Sequence, residues 1–524
     1  MSDTFETYFE RYGPAYRWVA TITVMAASIT TVLSATIVNV SVPQVMGTYG
    51  IGLDQVQWMA TAFLASMTVS QLLSAWVLDC LGTRLTFVSM LILFAIGAVM
   101  GSTAPNIEIL AVGRALQGMA AGIIQPVSMV VLALVFPPHR RGFAMGIYSM
   151  GVVLAPAIGP AIGGITIDAL GWRYMFLIPL PVCALSLLAG IHFLPGREKN
   201  QQPRKLDWVG VALLATALLS ILNAMAGGQR FGWFSDRILL YLLVGAVATW
   251  AFVLSQLRSE SPLLDFSVLA NRHFASACLI GFVFGSGLFA TTYYIPVFVQ
   301  TVLSYTPTQA GFLLAPAGIL LMVVLPISGR LADSIPAHYL MIGGLIILGW
   351  GFLLMSGADA NTSYVSLMLI VMFSRAGMGF INAPLRTAAT RVLPPSQLAR
   401  GSGTLNFFRQ LGGAFGISGL VIAVEQRSQF YSDALSATQT SANHTSRELL
   451  FHITRLLGEA GVAPTDQHPS ALKYLGQVIS AQAQSLAFSD AAVIIAIVFF
   501  LTVLPAMLLS RAGTTARAGV VPER

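Results

Sequence analysis

Charged residues are scarce in this chain. Asp, Glu, Lys and Arg make up 9% of its 524 residues, whereas hydrophobic residues make up 56% and the mean hydropathy is +0.76. A soluble domain carries about 25% charged residues. The composition therefore excludes a soluble globular protein and indicates a chain embedded in a lipid bilayer. The net charge of +7 consequently requires no nucleic-acid partner.

Cysteine is also scarce. Cys80, Cys183 and Cys278 lie in or beside hydrophobic segments, without the spacing of a metal site or a disulfide framework. No phosphate-binding loop and no nucleophile–base arrangement stands out in the sequence. We therefore expect no enzymatic activity, no cofactor and no metal. The polar, acidic start of the chain, before a full-length hydrophobic segment begins near Arg17, predicts that there is no cleavable signal peptide.

Long hydrophobic runs, by contrast, are abundant. A membrane-spanning helix needs about 20 mainly apolar residues. By this measure the sequence predicts an all-α membrane protein with fourteen transmembrane helices. They cover approximately residues 17–39, 55–78, 86–103, 107–135, 143–166, 174–194, 208–227, 238–257, 274–301, 309–328, 339–356, 362–390, 401–424 and 488–510.

The distribution of Lys and Arg predicts the orientation of these helices. Most basic residues outside the spans fall in connections on the same side as both chain ends, and the short connections opposite hold only Arg173, Arg230 and Arg237. Basic loops face the cytoplasm. We therefore expect residues 1–16 and 511–524 to be cytoplasmic tails of a multi-pass protein in a bacterial inner membrane, and 425–487 to be a long periplasmic loop.

The second half of the sequence echoes the first. The segment from Ala75 to Asp79 matches 329–333, Arg114 to Gly118 matches 375–379, and Pro137-Pro138 with Arg141 matches a similar turn at 394–400. Two homologous six-helix bundles, 17–194 and 273–510, explain these matches, with a linker at 195–272 that carries two extra helices. Parallel repeats of this kind place a substrate site near the midplane between the halves.

The motifs that carry this repeat resemble those of a known family. The turn after the second helix (Asp79, Gly82, Arg84), the Arg114 segment, the Gly/Pro-rich fifth helix, Trp172-Arg173-Tyr174, Asp207-Trp208 and Arg409-Gln410 occur in the order that the family shows. The chain thus resembles the major facilitator superfamily, specifically its fourteen-helix drug:proton antiporter branch (the EmrB/QacA type).

This resemblance implies proton-driven export of amphipathic small molecules by alternating access. Two alternatives stay open at this point: a uniporter or importer of a specific metabolite, and a non-transporting membrane receptor or scaffold. The repeat argues against the scaffold, because a scaffold does not need two halves that rock.

Two groups of residues are candidates for conformational roles. Asp79, Gly82 and Arg84, with Asp333 in the second half, suggest a charge latch at cytoplasmic turns. In the fifth helix, small residues and prolines suggest a pliable, closely packed seal; these are Gly151, Pro156, Gly159, Pro160, Gly163 and Gly164. Close helix packing alone is the simpler interpretation.

Several spans contain residues that are costly in lipid. Arg114, Arg375 and Arg409 are predicted to bind substrate, assist proton coupling or hold a structural position within their helices. Polar residues predicted to line a central cavity are Asn39, Gln125, Tyr293, Tyr294, Gln300, Asn382 and Asn406. For each of them an interhelical hydrogen bond is the alternative, and the Tyr293-Tyr294 pair is the first to test.

A carboxylate is missing where the resemblance implies one. The antiporter branch carries Asp two residues before the Thr of its Thr-Ile-Val-Asn pattern, and Ser34 occupies that position here. None of the 21 acidic residues lies near the midpoint of a predicted span, although Glu425 lies near a span end. A midplane with arginines and no carboxylate predicts a preference for anionic or neutral amphiphiles.

The long loop 425–487 carries apolar residues at helical spacing, which predicts two short amphipathic helices separated by a turn between Gly461 and Pro469. By resemblance, such a loop suggests docking to a periplasmic adaptor protein and an outer-membrane channel. A cap over the outer mouth is the alternative.

Overall fold

The computed structural model describes residues 5–137, 141–196, 206–259, 262–264, 266–359, 361–391, 393, 397–440 and 443–508. It is built from α-helices, and none of these residues lies in a β-strand. The helices are α1 (Phe5–Tyr12), α2 (Tyr16–Ile37), α3 (Val42–Tyr49), α4 (Leu53–Val56), α5 (Trp58–Ser102), α6 (Ile107–Val135), α7 (Arg141–Leu170), α8 (Pro179–Phe193), α9 (Trp208–Phe231), α10 (Asp236–Arg258), α11 (Arg272–Thr301), α12 (Pro307–Ser334), α13 (Ala337–Ser356), α14 (Tyr364–Arg391), α15 (Leu398–Ala437), α16 (His444–Glu459) and α17 (Pro464–Leu508).

The fourteen predicted spans are confirmed. Twelve stretches are long and apolar enough to cross a membrane. One of them contains α5, which is two spans because Gly82 breaks the helix with φ 74° and ψ 172°. The 30-residue α7, apolar from Leu154 to Leu170, supplies the remaining span. A left-handed φ is easily reached only by glycine, so the sharp turn between the two spans requires the residue found there.

The helices form two bundles and an extra hairpin. Within the first half, α2, both parts of α5, α6, α7 and α8 pack on one another, and α11 to α15 with α17 do so in the second. The extra hairpin packs through α9 on α5 and α15. Asp207 holds this hairpin, because its carboxylate accepts hydrogen bonds from the Gly210 amide at 2.8 Å and from the Gln256 amide nitrogen at 2.6 Å.

One end of the membrane domain carries α16, and we call it the α16 end; α2 begins and α17 ends at the opposite, terminal end. Buried apolar residues form one cluster that joins the second bundle to the α16 end of the first, including Val40, Val45 and Tyr293. Buried residues from the terminal end of the first bundle, such as Phe87 and Val131, form a cluster of their own. The two halves are therefore packed together at the α16 end.

The loop prediction was correct for one helix and wrong for the other. The predicted helix around Leu449 to Leu457 is α16. The second is not a separate short helix, because α17 begins at Pro464 and continues without interruption into the membrane span. Pro469 does not terminate it: this proline lies in the second turn, where the loss of one backbone hydrogen bond at an exposed helix end is tolerated. Similarly, α15 continues past the predicted span end to Ala437.

Candidate functional site

The Gly/Pro-rich stretch of α7 forms a close backbone contact between the two bundles. A Cβ atom on Gly164 would lie 2.7 Å from the Pro307 carbonyl carbon and 2.8 Å from the Thr308 Cα. A Cβ on Gly311 of α12 would lie 2.8 Å from the Ala161 Cα. Neither gap holds a methyl group, so the backbones of α7 and α12 touch because these residues have no side chain.

The other glycines of this stretch face α2 in the same bundle. A Cβ on Gly163 would lie 2.6 Å from Ile37 Cγ1, and one on Gly159 would lie 2.9 Å from Thr36 Oγ1. Pro156 and Pro160 lie inside α7, which stays helical across both. The stretch thus has two packing faces, and Gly164 belongs to the one that meets the second bundle.

Hydrogen bonds also cross between the halves at the α16 end. The Asp168 carboxylate accepts from the Thr308 backbone N–H at 2.9 Å, at the start of α12. Gln300, expected in a central cavity, instead donates to the Val40 carbonyl at 2.8 Å and pairs with the Gln44 side chain at 2.8 Å. Asp168 was not among the predicted site residues, because its role depends on the helix end that faces it.

Replacing Asp168 by alanine is expected to loosen this contact. The loss of a carboxylate at a helix N-terminus costs about 0.5–1 kcal/mol at an exposed position, which shifts a closed–open equilibrium about two- to fivefold. Spin labels at Thr103→Cys and Asn361→Cys, in a background without native cysteines, report the distance between the halves. Asp168→Asn keeps an acceptor and serves as the control. An Asp168→Ala distance distribution identical to that of the unsubstituted protein would contradict the prediction.

Arg114 is buried in the first bundle, with 1% of its surface exposed. Its Nε donates to the Met59 carbonyl at 2.7 Å, and Nη1 donates to the Ser34 hydroxyl at 3.0 Å, the Ser34 carbonyl at 3.2 Å and Gln117 Oε1 at 2.8 Å. The Phe63 ring covers the guanidinium at 4.4 Å. The arginine therefore contacts the serine that stands in place of the expected carboxylate.

Arg375 is the counterpart of Arg114 in the second bundle. Its Nη2 donates to Thr292 Oγ1 at 3.1 Å, and its Nη1 contacts Met378 Sδ at 3.4 Å. Each arginine thus reaches a hydroxyl on the first helix of its own bundle and a residue three positions further along its own helix. This shared geometry supports the internal repeat inferred from the sequence.

Further arginines from α14 and α15 lie close to each other and to the first bundle. Arg386 and Arg409 interact electrostatically, and Arg386 also interacts with Tyr148 of α7. The Tyr148 hydroxyl donates to Ser28 at 2.8 Å. Among the described residues, no carboxylate lies within ion-pair distance of Arg114, Arg375 or Arg409. Each bundle therefore holds a buried arginine without a carboxylate partner in the part of the chain that the structure describes, and Arg386 reaches across to Tyr148 of the first bundle.

The predicted cavity residues divide into two groups. Three of them are half-buried: Gln125 on α6, Asn382 on α14 and Asn406 on α15. Helix α6 also carries Arg114, and α14 also carries Arg375. Asn39, 3% exposed, lies in the short turn after α2, and its Oδ1 has no hydrogen-bond partner. Tyr293 and Tyr294 are buried near the α16 end; the Tyr294 hydroxyl donates to the Phe488 carbonyl at 2.9 Å, whereas the Tyr293 hydroxyl has no partner.

Because of this difference, Tyr294→Phe and Tyr293→Phe form a matched pair. Tyr294→Phe is expected to destabilise the protein by about 0.5–1.5 kcal/mol, since it removes a buried interhelical hydrogen bond. Tyr293→Phe is expected to leave stability unchanged or to raise it slightly. Thermal unfolding of the purified protein in detergent distinguishes them, and equal effects of the two substitutions would count against these hydroxyl assignments.

Glu425 of α15 bridges the two halves. Its carboxylate accepts a hydrogen bond from the Asp54 backbone N–H of α4 at 2.7 Å. The Asp54 side chain interacts electrostatically with Glu425 and with Arg230 of α9, and Tyr293 interacts with both carboxylates. Two carboxylates thus meet where the bundles are packed together. The sequence did not indicate this pairing, because Asp54 lies in the four-residue helix α4, outside the predicted spans.

The predicted latch residues lie at the terminal end. The Arg84 Nε donates to the Leu194 carbonyl at 2.6 Å, and its Nη2 donates to the Tyr8 hydroxyl at 2.6 Å. Arg84 therefore ties the turn at Gly82 to α1 and to the end of α8. Asp79 lies half-buried one turn before Gly82. The side chain of Asp333 lies outside the described residues.

Two pseudo-equivalent helix bundles, packed together at one end and each holding a buried arginine at an equivalent position, define a membrane transporter. A family model described as Major Facilitator Superfamily matches residues 24–417. The chain belongs to this superfamily.

Two named relatives indicate the branch of the superfamily to which the chain is similar. It is 30% identical to the multidrug export protein EmrB of Escherichia coli strain K12 over 410 residues, which cover 76% of this chain and 78% of EmrB. It is 30% identical to the multidrug transporter protein MdtP of Bacillus subtilis, with 76% of this chain and 73% of MdtP covered. These relatives support the drug:proton antiporter branch and a transporter, not an enzyme.

Solved structures share the fold. A bacterial homologue of the human lysosomal transporter Spinster, in an inward-facing and occupied conformation, gives a TM-score of 0.61 at 16% identity, covering 95% of this chain and 97% of that one. A POT family transporter in complex with a thioalcohol-conjugated peptide gives a TM-score of 0.64 at 14% identity, covering 95% and 96%.

Proposed function

We propose that this protein is a proton-driven exporter of amphipathic small molecules, anionic or neutral, in a bacterial inner membrane. The observation that carries the proposal is a set of arginines within the spanning helices, Arg114, Arg375 and Arg409, that have no carboxylate partner among the described residues. Export is supported by the names of the multidrug-exporting relatives.

The charge preference follows from electrostatics in a low-dielectric region. A single arginine at a membrane centre costs at least about 2.5–3.5 kcal/mol on insertion scales. Several uncompensated arginines raise the local positive potential, which attracts anions and repels cations. A substrate that brings a negative charge offsets part of that cost, whereas a quaternary ammonium compound adds to it.

In this proposal the α16 end faces the periplasm, and both chain ends face the cytoplasm. The packed α7–α12 contact then closes the periplasmic side, and the substrate enters from the cytoplasmic side. Rocking of the two bundles separates Gly164 from Pro307 and opens the site outward. The close backbone contact also acts as a seal against ion leak while the halves move.

Glu425 is the residue that we propose carries the coupled proton. Its carboxylate bridges the halves through the Asp54 N–H of α4. Tyr293 of α11 interacts with both carboxylates, and Arg230 of α9 interacts with Asp54. The neighbour of Glu425 on the same helix, Arg427, is engaged by Asp490 at 3.2 Å. Separation of the bundles breaks the bond to the Asp54 N–H and exposes the carboxylate, so its protonation depends on conformation.

Reconstituted vesicles containing the purified protein test this function. We expect an anionic amphiphile such as deoxycholate to be transported in exchange for protons, and a quaternary ammonium compound to be transported poorly. A clear preference for the quaternary ammonium compound would overturn the charge assignment. Substrate transport without any proton flux would overturn the antiport.

The alternative of a uniporter for a specific metabolite is favoured by one observation, Ser34 at the position of the expected carboxylate. It predicts substrate movement that follows only the substrate gradient. The proton-flux measurement in the same vesicles therefore separates the two functions.

The helices that extend beyond the membrane support a further part of the proposal, docking to a periplasmic adaptor protein and an outer-membrane channel. Apolar side chains on α16 and α17 face solvent, with Phe451 66% and Leu456 52% exposed. Co-purification with an adaptor, lost in Phe451→Ser with Leu456→Ser, is the expected result. Retention of the adaptor by the doubly substituted protein would argue against this surface.

A further inference from the structure

We infer that Arg114 and Gln117 form a subsite for the negatively charged group of the transported molecule, and that Ser34 keeps this subsite available. The inference rests on the proposed function and names the residues that would recognise the anion. It makes Ser34 a determinant of substrate charge.

The first observation is a pair of buried donors without partners. Nη2 of Arg114 and Nε2 of Gln117 make no hydrogen bond, although these side chains are 1% and 0% exposed. Buried polar groups are nearly always hydrogen-bonded, and a buried charge is normally paired. Two unpaired donors on adjacent turns of one helix therefore mark a place that lacks an acceptor.

The second observation is that the other polar side-chain atoms of Arg114 and Gln117 already have hydrogen-bond partners. Nε and Nη1 of Arg114 have acceptors, and Oε1 of Gln117 accepts from Nη1 at 2.8 Å. The Gln117 amide oxygen is thus committed, which leaves its nitrogen as a donor. One carboxylate or sulfonate group, able to accept from both an amide and a guanidinium, has the chemistry that these two atoms require.

Ser34 explains why the donors are unpaired. Its hydroxyl and its carbonyl are both used by Nη1, so it supplies nothing to Nη2. A carboxylate at this position would supply a negative charge and a second oxygen beside the guanidinium. The substrate's own charge takes that role when the side chain is serine.

The second bundle provides an internal comparison. In Arg375 both terminal nitrogens have partners, Met378 Sδ and Thr292 Oγ1, and neither is among the buried atoms without a hydrogen bond. The methionine at the position of Gln117 has no amide nitrogen to offer. The pair of unpaired donors on Arg114 and Gln117 therefore has no counterpart at Arg375. Phe63 covers Arg114 in this conformation, so the ring has to move when an anion binds.

Ser34→Asp in the full-length protein tests the inference, with Ser34→Asn as the neutral control of similar size. Binding of deoxycholate to the detergent-purified protein is measured by calorimetry, alongside vesicle transport of deoxycholate and tetraphenylphosphonium. We expect Ser34→Asp to weaken deoxycholate binding by about tenfold or more, since hydrogen bonds to a charged group are lost. We expect it to improve tetraphenylphosphonium transport relative to deoxycholate, and Ser34→Asn to bind deoxycholate within about threefold of the original protein.

A second variant tests the subsite independently of whether Ser34→Asp folds. Gln117→Met copies the second bundle, keeps Arg114 and is expected to weaken deoxycholate binding by several-fold. Unchanged binding in Ser34→Asp and Gln117→Met, or equal loss in Ser34→Asn, would overturn the subsite. Failure of the proposed function gives a different result: no proton-coupled transport of either compound, even when the binding differences between the variants are as expected.

Discussion

Leucine in place of Gly164 is expected to abolish transport while leaving the protein folded in the membrane. The first carbon of any side chain at this position meets the backbone of Pro307 and Thr308, at 2.7 Å from a carbonyl carbon and 2.8 Å from a Cα. Backbone atoms cannot move aside as the end of a side chain does. The two bundles therefore cannot close at the α16 end, and we expect the transport rate to fall by more than tenfold.

Gly343→Leu is the matched control for this substitution. Gly343 lies inside the spanning helix α13, and a Cβ added there has no atom within 4 Å. Gly159→Leu and Gly163→Leu should also impair transport, although they act against Thr36 and Ile37 within the first bundle. Spin labels at Thr103→Cys and Asn361→Cys should report a wider α16 end for Gly164→Leu. Normal transport by Gly164→Leu would contradict the close-packed contact.

Glutamine in place of Glu425 is expected to remove proton coupling and preserve substrate exchange. A glutamine side-chain oxygen can still accept from the Asp54 N–H that Glu425 engages at 2.7 Å, so the bridge between the halves is kept. The amide does not titrate, however, and carries no proton through the cycle. We expect substrate-driven proton flux in vesicles to fall to background and the pH dependence of transport to flatten, while exchange of labelled for unlabelled substrate continues.

Glu108→Gln is the control for this experiment. Glu108 is an exposed carboxylate in the first turn of α6, also near the α16 end, and its neutralisation should leave proton flux unchanged. Proton flux at the original level in Glu425→Gln would assign the coupled proton to a different group. Loss of exchange together with proton flux would show that Glu425 is needed for closure itself.

Most of the fold could be predicted from the sequence because hydrophobicity in lipid is a local signal. The prediction for α6, 107–135, agrees with the structure at both ends, and the turn near Gly82 falls between the two predicted spans of α5. The end of α15 and the start of α17 could not be predicted in this way. Both helices extend beyond the membrane as polar helices, so a hydrophobicity criterion ends α15 too early and starts α17 too late.

The site was less predictable, because a side chain's partner depends on packing between distant helices. Sequence reasoning identified Arg114 and Ser34 separately, but not that they touch. It placed Gln300 and Tyr294 in one central cavity, whereas Gln300 joins the halves and Tyr294 joins two helices of one bundle. Asp168 and Asp54 gave no signal, since an acidic residue near a span end is ordinary.

The uninterrupted course of α17 has a mechanical consequence. At about 1.5 Å per residue, its 45 residues form a rod nearly 70 Å long, of which one part lies beside α16 and the other inside the second bundle. No flexible joint separates these parts. A tilt of the second bundle must therefore move the part of α17 outside the membrane through a larger distance. A protein bound to α16 would either oppose or assist this movement. Binding of a protein to the external helices should then change the rate of transport.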